Sequence, residues 1–172
     1  MPRSVPIAGE DVIQGVERFV SAVEDVSLAG VPLLRRLRVD LADLIYLGLH
    51  YDYAGQARGE YPRIIFDTED AGEAVFDELA RRLPPQLYWS DLLPLTWETV
   101  GDAGVRQLAT LVSEAYGHAK FASLLWSATD DDATRRYDWD STFGIFIAPR
   151  ALRALVITHE VVRDLEMHAH LE

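Results

Sequence analysis

The stretch PLLRRLRVDLADLIYLGLHY, residues 32–51, decides the fold class. Its apolar positions recur at intervals of three and four residues: Leu34, Leu37, Leu41, Leu44, Ile45 and Gly48. That spacing places them on one face of an α-helix, because a half-buried strand would alternate at every second residue. Pro32 is acceptable in the first turn of a helix. We therefore predict a helix that begins after Ser27 or Gly30 and ends near Tyr51.

Helical spacing continues on both sides of this stretch and predicts five further helices. These cover about residues 10–26, 69–83, 102–127 and 133–146, and a last helix with Pro149 in its first turn reaches about His168. Thr68 or Asp67 is the expected cap of the helix over 69–83. Residues 63–66 are apolar, but a single strand would have no partner, so we expect an extended lead-in. The result is an all-α fold, an antiparallel bundle or array of about six helices, with residues 1–172 forming a single helical domain.

Composition and charge exclude several classes of protein. The chain has 28 acidic and 16 basic residues, a formal net charge of −12, so we predict no binding to nucleic acid, whose phosphates this charge repels. The absence of cysteine excludes disulfides and thiolate chemistry and favours a reducing compartment, so we expect a cytoplasmic protein. Residues 1–10 lack the apolar run of a secretory signal. The apolar stretch 41–49 is too short to span a bilayer, so we expect no membrane partner.

Histidines are the first candidates for a metal site, and the chain has His50, His118, His159, His168 and His170. Glu114 and His118 are four residues apart and share one helix face. A dimetal site in a helical bundle needs Glu-x-x-His on each of two helices, and that pattern does not occur. A zinc site from His50, His118 and His159 stays geometrically open beside the commoner reading as ordinary surface or partly buried residues. We assign no metal and no cofactor.

Two acidic clusters stand out in the sequence. Residues 67–78 contain six acids and no base, so their helix is a solvated face or the best candidate for docking a basic partner. The second cluster consists of Asp130, Asp131, Asp132, Asp138 and Asp140. It lacks the alternating acids, central glycine and final glutamate of a calcium-binding EF-hand loop. We interpret the second cluster as a solvated connection between helices.

Sequence motifs of catalysis are missing. The chain has no Gly-x-Ser-x-Gly elbow, no phosphate-binding loop and no Gly-x-Gly-x-x-Gly. We therefore assign no catalytic residue and consider an enzyme less favoured than a binding protein.

The aromatic residues of the second half have two interpretations. Residues 86–101 are rich in aromatic side chains and weakly periodic, which indicates an ordered loop against the bundle. Tryptophan and tyrosine are enriched at interface hot spots, and they are also ordinary core residues. As candidate interaction residues we select Tyr88, Trp89, Trp97 and Trp139, with core packing as the alternative.

The second half of the chain contains a series of short motifs in a fixed order: Tyr88-Trp89, Leu93-Pro94-Leu95, Val100-Gly101-Asp102, a long Leu/Ala-rich helix, Trp139 with Ser141 and Phe143, and Ala151-Leu152-Arg153-Ala154-Leu155. Through these motifs, residues 88–155 resemble the bacterial family called domain of unknown function 5063. In the family a His-Trp-Gly-x-His stretch follows the Trp and Phe, whereas residues 145–149 hold that place here, so a role of those histidines is absent or moved. The resemblance implies a helical fold and no particular reaction.

Three functions are compatible with these features. We favour a non-enzymatic protein-binding or adaptor module, with regulation of a partner that has a basic surface. The first alternative is a small-ligand-binding protein or enzyme with a site between helices, lined by Tyr, Trp, His and Asp. The second is a structural subunit of a larger assembly, and a homo-oligomer is compatible with each of the three.

Overall fold

The computed structural model describes residues 7–51, 62–84 and 102–168. Its helices are α1 (Gly9–Glu24), α2 (Gly30–His50), α3 (Thr68–Arg82), α4 (Asp102–Ala128), α5 (Asp132–Thr142) and α6 (Ala148–His168), with a π-helical turn (Phe143–Ile147) between the last two. Within the described ranges there is no strand, and residues 62–67 have no regular secondary structure. The predicted all-α class is therefore confirmed.

Local sequence explains where several helices begin. The Asp67 carboxylate accepts the backbone N–H groups of Glu69 and Asp70, at 2.9 and 3.2 Å, and so caps α3. Asp131 caps α5 in the same way, by accepting the backbone N–H of Thr134. Gly30 starts α2 with a φ of 62°, a backbone conformation that side chains disfavour and glycine tolerates.

The expected fifth and sixth helices form one continuous helical segment. The π-helical turn joins α5 to α6 directly, so the described chain has five helical segments rather than six. Pro149 lies in the first turn of α6, as predicted, but α6 continues α5 through the π-helical turn and is not a separate helix. Proline lacks an N–H and its ring crowds the carbonyl four residues earlier, and a wider turn gives that ring room. The backbone N–H of Ala148 bonds to the carbonyl of Phe143, five residues back, which closes the wide turn.

Four helices surround the main core, and α3 packs on the outside of α4. The helix α1 contacts α2 and α4, and α6 also contacts α2 and α4. Arg18 of α1 lies 3.4 Å from Asp43 of α2, and Gly15 faces Leu47, so the two helices run in opposite directions. The largest fully buried side chains are Val12, Phe19, Leu33, Leu34, Leu37, Leu41, Leu44, Leu79, Leu108, Leu125 and Ile147. These residues come from every helical segment of the described chain, and none of the described helices is long and apolar enough to cross a membrane.

Candidate functional site

A cleft of about 550 Å³ lies where α3, α4 and the start of α6 meet. Its floor is one face of α4, formed by Thr110, Ser113, Glu114 and His118. These positions are separated by three, one and four residues, so a regular helix aligns them along one side. The cleft therefore follows the axis of α4 for about two helical turns.

One wall of the cleft is α3. Glu69, Gly72, Glu73 and Phe76 line it, again at helical spacing. A Cβ on Gly72 would lie 3.0 Å from the carbonyl oxygen of Ser113, so α3 lies close against α4. Among the residues that the structure describes, the exposed carboxylates of Glu69 and Glu73 have no ion-pair partner. This wall therefore combines two free negative charges with an aromatic ring.

The opposite wall is built by the π-helical turn and the first turn of α6. The ring of Phe146 stacks on His118, with ring centroids 4.4 Å apart and an interplanar angle of 19°. Arg150 pairs with the carboxylate of Glu114 and donates a second hydrogen bond to the carbonyl oxygen of Phe146, at 3.0 Å. Because the π-helical turn holds one more residue than an α-turn, it sets the direction in which Phe146 points. Such turns occur frequently at functional sites.

The electrostatics of the cleft favour a positively charged ligand. Three carboxylates, those of Glu69, Glu73 and Glu114, face a single guanidinium, that of Arg150. Burial lowers the pKa of His118, and Arg150 lowers it further, against an opposing effect of Glu114. The lowered pKa favours the neutral form of His118, and the three carboxylates then leave the cleft with an excess of negative charge.

The polar groups on the floor of the cleft are occupied by their own helix. The Ser113 hydroxyl donates to the carbonyl oxygen of Thr110, and the Thr110 hydroxyl donates to that of Arg106. Neither hydroxyl is hydrogen-bonded to His118, so these residues do not form the nucleophile–base pair of a hydrolase. The arrangement is suited to binding through charge and aromatic contact.

The candidate interaction residues have different outcomes. Tyr88, Trp89 and Trp97 lie outside the described residues. Trp139 is only 3% exposed and stacks on Phe143 with ring centroids 5.2 Å apart, so it lies in the core instead of at the surface. Its indole Nε1 is buried without a hydrogen-bond partner among the described residues.

The three histidines considered for a zinc site lie on three different helices, α2, α4 and α6. His50 is exposed at the end of α2, where its Nδ1 lies 2.8 Å from the carbonyl oxygen of Tyr46. His159 is exposed on α6, and His118 lies in the cleft. In the described part of the chain, no three His, Asp or Glu side chains come together in a way that could hold a metal ion. The zinc site considered for His50, His118 and His159 therefore has no support in this structure.

Several acidic residues between 130 and 140 form a helix cap, an ion pair or a hydrogen bond with nearby residues of the chain. Asp131 caps α5, and Asp132 pairs with Arg136 at 2.7 Å. Asp138 is buried and accepts a hydrogen bond from Thr142 at 3.4 Å. Asp131 and Asp132 thus act at the start of α5, whereas Asp138 is a buried residue within α5 and does not belong to a solvated connection.

Comparison with solved structures shows a related fold. The chain is similar to the crystal structure of protein BF1032 from Bacteroides fragilis, with a TM-score of 0.67 and 12% sequence identity over 88% of this chain and 90% of that chain. At this identity the likeness concerns the fold alone. No family model matches the sequence, and no curated protein matches it. The resemblance to the domain of unknown function 5063 family stays a prediction.

Sequence reasoning found one wall of the cleft and missed the other. The acidic α3 was recognised as a docking candidate, and Glu114 and His118 were recognised as sharing a face. Phe146 and Arg150 were missed, since Arg150 lies 36 residues from its partner Glu114. Near Phe146 and Arg150, the local sequence signal is Pro149. A proline predicts that the helix is irregular at that point, but it does not predict which side chains then face α4.

Proposed function

We propose that this protein is a non-enzymatic binding module that docks a basic segment of a partner protein in the cleft between α3, α4 and α6. The observation that carries the proposal is the pair of carboxylates, Glu69 and Glu73, which have no ion-pair partner among the described residues and line the same cleft as the exposed ring of Phe146. Lysine and arginine side chains pair with carboxylates at their charged ends and cover aromatic rings with their apolar stems. The cleft offers both contacts within one or two helical turns.

The charge of the whole chain supports the same class of partner. A net charge of −12 attracts basic proteins over distances up to the screening length and repels acidic ones. The acidic wall of the cleft then selects the docking position at short range. Binding by this route is expected to weaken as salt is added, because exposed charge pairs are screened.

Site-specific photocrosslinking in cells that naturally express the protein tests the proposal. A photoreactive residue replaces Thr110 on the cleft floor or, as a matched control, Ala42 on the exposed side of α2. We expect a crosslinked polypeptide at Thr110 whose contact peptide is rich in lysine and arginine. The proposal fails if Thr110 captures no more than Ala42 does, or if the contact peptide is acidic.

A small-ligand-binding protein is the second candidate. A volume of about 550 Å³ falls in the range of small-molecule sites, and Arg150, His118 and Glu114 converge on this cleft. A thermal-shift screen of small cationic metabolites separates the two candidates. A metabolite that raises the melting temperature of the wild type and has no effect on the Glu114→Gln variant would favour the small ligand over the protein segment.

A further inference from the structure

The shape of the cleft restricts the kind of segment that it can accept. The helices α3 and α6 both pack against α4, and they hardly touch one another. Between them, a channel runs along α4 from Thr110 to His118, which corresponds to about 12 Å at the rise of an α-helix. The channel is thus a groove with α3 and α6 as its sides and α4 as its floor. Amphipathic helices dock in grooves of this kind.

The lining of the channel disfavours an extended peptide. Its walls and floor are helical, so most of their backbone N–H and C=O groups are already hydrogen-bonded within the helices, and the N–H groups of Glu69 and Asp70 are bonded to the Asp67 carboxylate. The hydroxyls of Thr110 and Ser113 are also bonded to their own helix. An extended peptide would bury backbone groups here without partners, whereas a helix satisfies its own.

The charges of the channel define which helix fits. Glu69 and Glu73 are four residues apart on α3, so their carboxylates lie one above the other along the wall. Bases four apart on a docked helix would face both carboxylates at once. Phe76 and Phe146 also line the channel, so apolar side chains beside those bases would be covered.

From these contacts we infer that the occupant of the cleft is a single amphipathic α-helix of two to three turns, with lysine or arginine residues four apart along one edge of an apolar stripe. This inference rests on the proposed function, since it specifies the basic segment that docks. It adds the secondary structure of the segment and the spacing of its charges.

Synthetic peptides test the inference on the full chain. The first probe is a fluorescein-labelled peptide of about fourteen residues, made of leucine and lysine so that a helix segregates them on two faces. The second has the same composition in a permuted order that spreads leucine and lysine around the helix. Fluorescence anisotropy measures the binding of each peptide to the wild type and to two double variants.

The two double variants remove equal charge from the same helix. Glu69→Gln with Glu73→Gln removes the two carboxylates that α3 contributes to the channel, and Asp70→Asn with Asp77→Asn removes two exposed carboxylates outside it. We expect the segregated peptide to bind the wild type more tightly than the permuted one does. We expect the glutamate pair of changes to weaken that binding by about five- to thirty-fold, and the aspartate pair by roughly two-fold or less.

The outcomes separate the inference from the proposed function. Equal binding of the two peptides, with the loss at Glu69 and Glu73 preserved, overturns the helical occupant and leaves the docking of a basic segment standing. No binding of either peptide, or equal losses in the two double variants, overturns both. A segregated peptide that gains helical circular dichroism when it binds the wild type supports both.

Discussion

Arg82 shows how a single side chain joins separate parts of the fold. It is 6% exposed, and its guanidinium donates to the carbonyl oxygens of Asp25, at 2.6 Å, and of Val23. These carbonyls lie at the C-terminal end of α1, where the helix leaves acceptors unpaired and where a positive charge is favoured. Arg82 therefore couples the end of α3 to the end of α1.

Replacing Arg82 with methionine is expected to lower the free energy of unfolding by about 2–4 kcal/mol, because carbonyl groups at the end of α1, including that of the buried Val23, lose a charged donor. Arg81→Met is the matched control, since this neighbouring side chain is exposed and, within residues 7–51, 62–84 and 102–168, forms an ion pair with Glu78 alone. The control should change stability by less than about 0.5 kcal/mol. Urea denaturation measures both variants, and similar losses in the two would contradict the capping role.

His118 is expected to make the stability of the fold depend on pH. Burial, followed by the charge of Arg150, holds the pKa of His118 below its ordinary value of 6.5, so the unfolded chain takes up a proton at a higher pH than the folded one. Stability from neutral His118 is present above pH 6.5 and is lost as the pH falls below that value. The fall continues down to the pKa of the folded state.

The measurement compares urea midpoints at about pH 7.5 and about pH 5.5, a window that includes the titration of histidine. In His118→Gln, the decrease in the urea midpoint between these two pH values should be smaller than in the wild type. His159→Gln keeps His118 and serves as the control. Its urea midpoint should decrease between the two pH values by as much as that of the wild type. A pH dependence unchanged by His118→Gln would show that this histidine is as easily protonated in the folded protein as in the unfolded chain.

At the scale of elements, two glycines of the α3–α4 pair determine how closely these helices pack. A Cβ on Gly117 would lie 2.1 Å from the carbonyl oxygen of Thr68, and one on Gly72 would lie 3.0 Å from that of Ser113. Both obstacles are backbone atoms, which cannot move aside as a side chain would. The wall of the cleft is therefore held against its floor by backbone contact.

Gly117→Ala is expected to destabilise the protein by about 1–3 kcal/mol, because α3 must move away from α4. Gly144→Ala is the control, since an added Cβ meets nothing within 4 Å there. That change should be neutral or should stabilise by up to about 1 kcal/mol. Urea denaturation and amide hydrogen exchange along α3 report both effects, and equal protection of α3 in the two variants would argue against the close contact.

At the scale of the whole molecule, repulsion between acids opposes the compact state. The formal net charge is −12, and surface ion pairs such as Arg18–Asp43 recover little of that cost. Raising the salt concentration from about 0.02 M to about 0.2 M should therefore raise the melting temperature by about 2–5 °C. Differential scanning fluorimetry measures the melting temperature at each salt concentration. A lower melting temperature at higher salt would mean that attraction between oppositely charged side chains outweighs the repulsion between acids.

The same measurement on Asp70→Asn with Asp77→Asn tests where the repulsion acts. Both residues are exposed on α3, beside Glu69 and Glu73. Removal of two of these neighbouring charges should reduce the effect of salt. An unchanged salt effect would locate the repulsion away from α3.

The sequence alone determined the helical class and most helix limits, because both depend on neighbours within a few residues. The apolar spacing from Leu34 to Gly48 predicted α2, which extends from Gly30 to His50. Asp67 was one of two expected caps, and its carboxylate reaches backbone groups only two and three residues ahead. Interactions between residues so close in the chain can be predicted from the local sequence.

Tertiary structure alone decided the continuity of α5 with α6, the burial of Trp139 and the composition of the cleft. The sequence left both an interface and the commoner core position open for Trp139, and its place follows from which face of α5 turns inward. Arg150 meets Glu114, and Phe146 meets His118, because α6 runs antiparallel to α4 and the π-helical turn sets its rotation. A contact between distant residues depends on how whole helices pack, and the periodicity of one helix specifies its apolar face without specifying its neighbour.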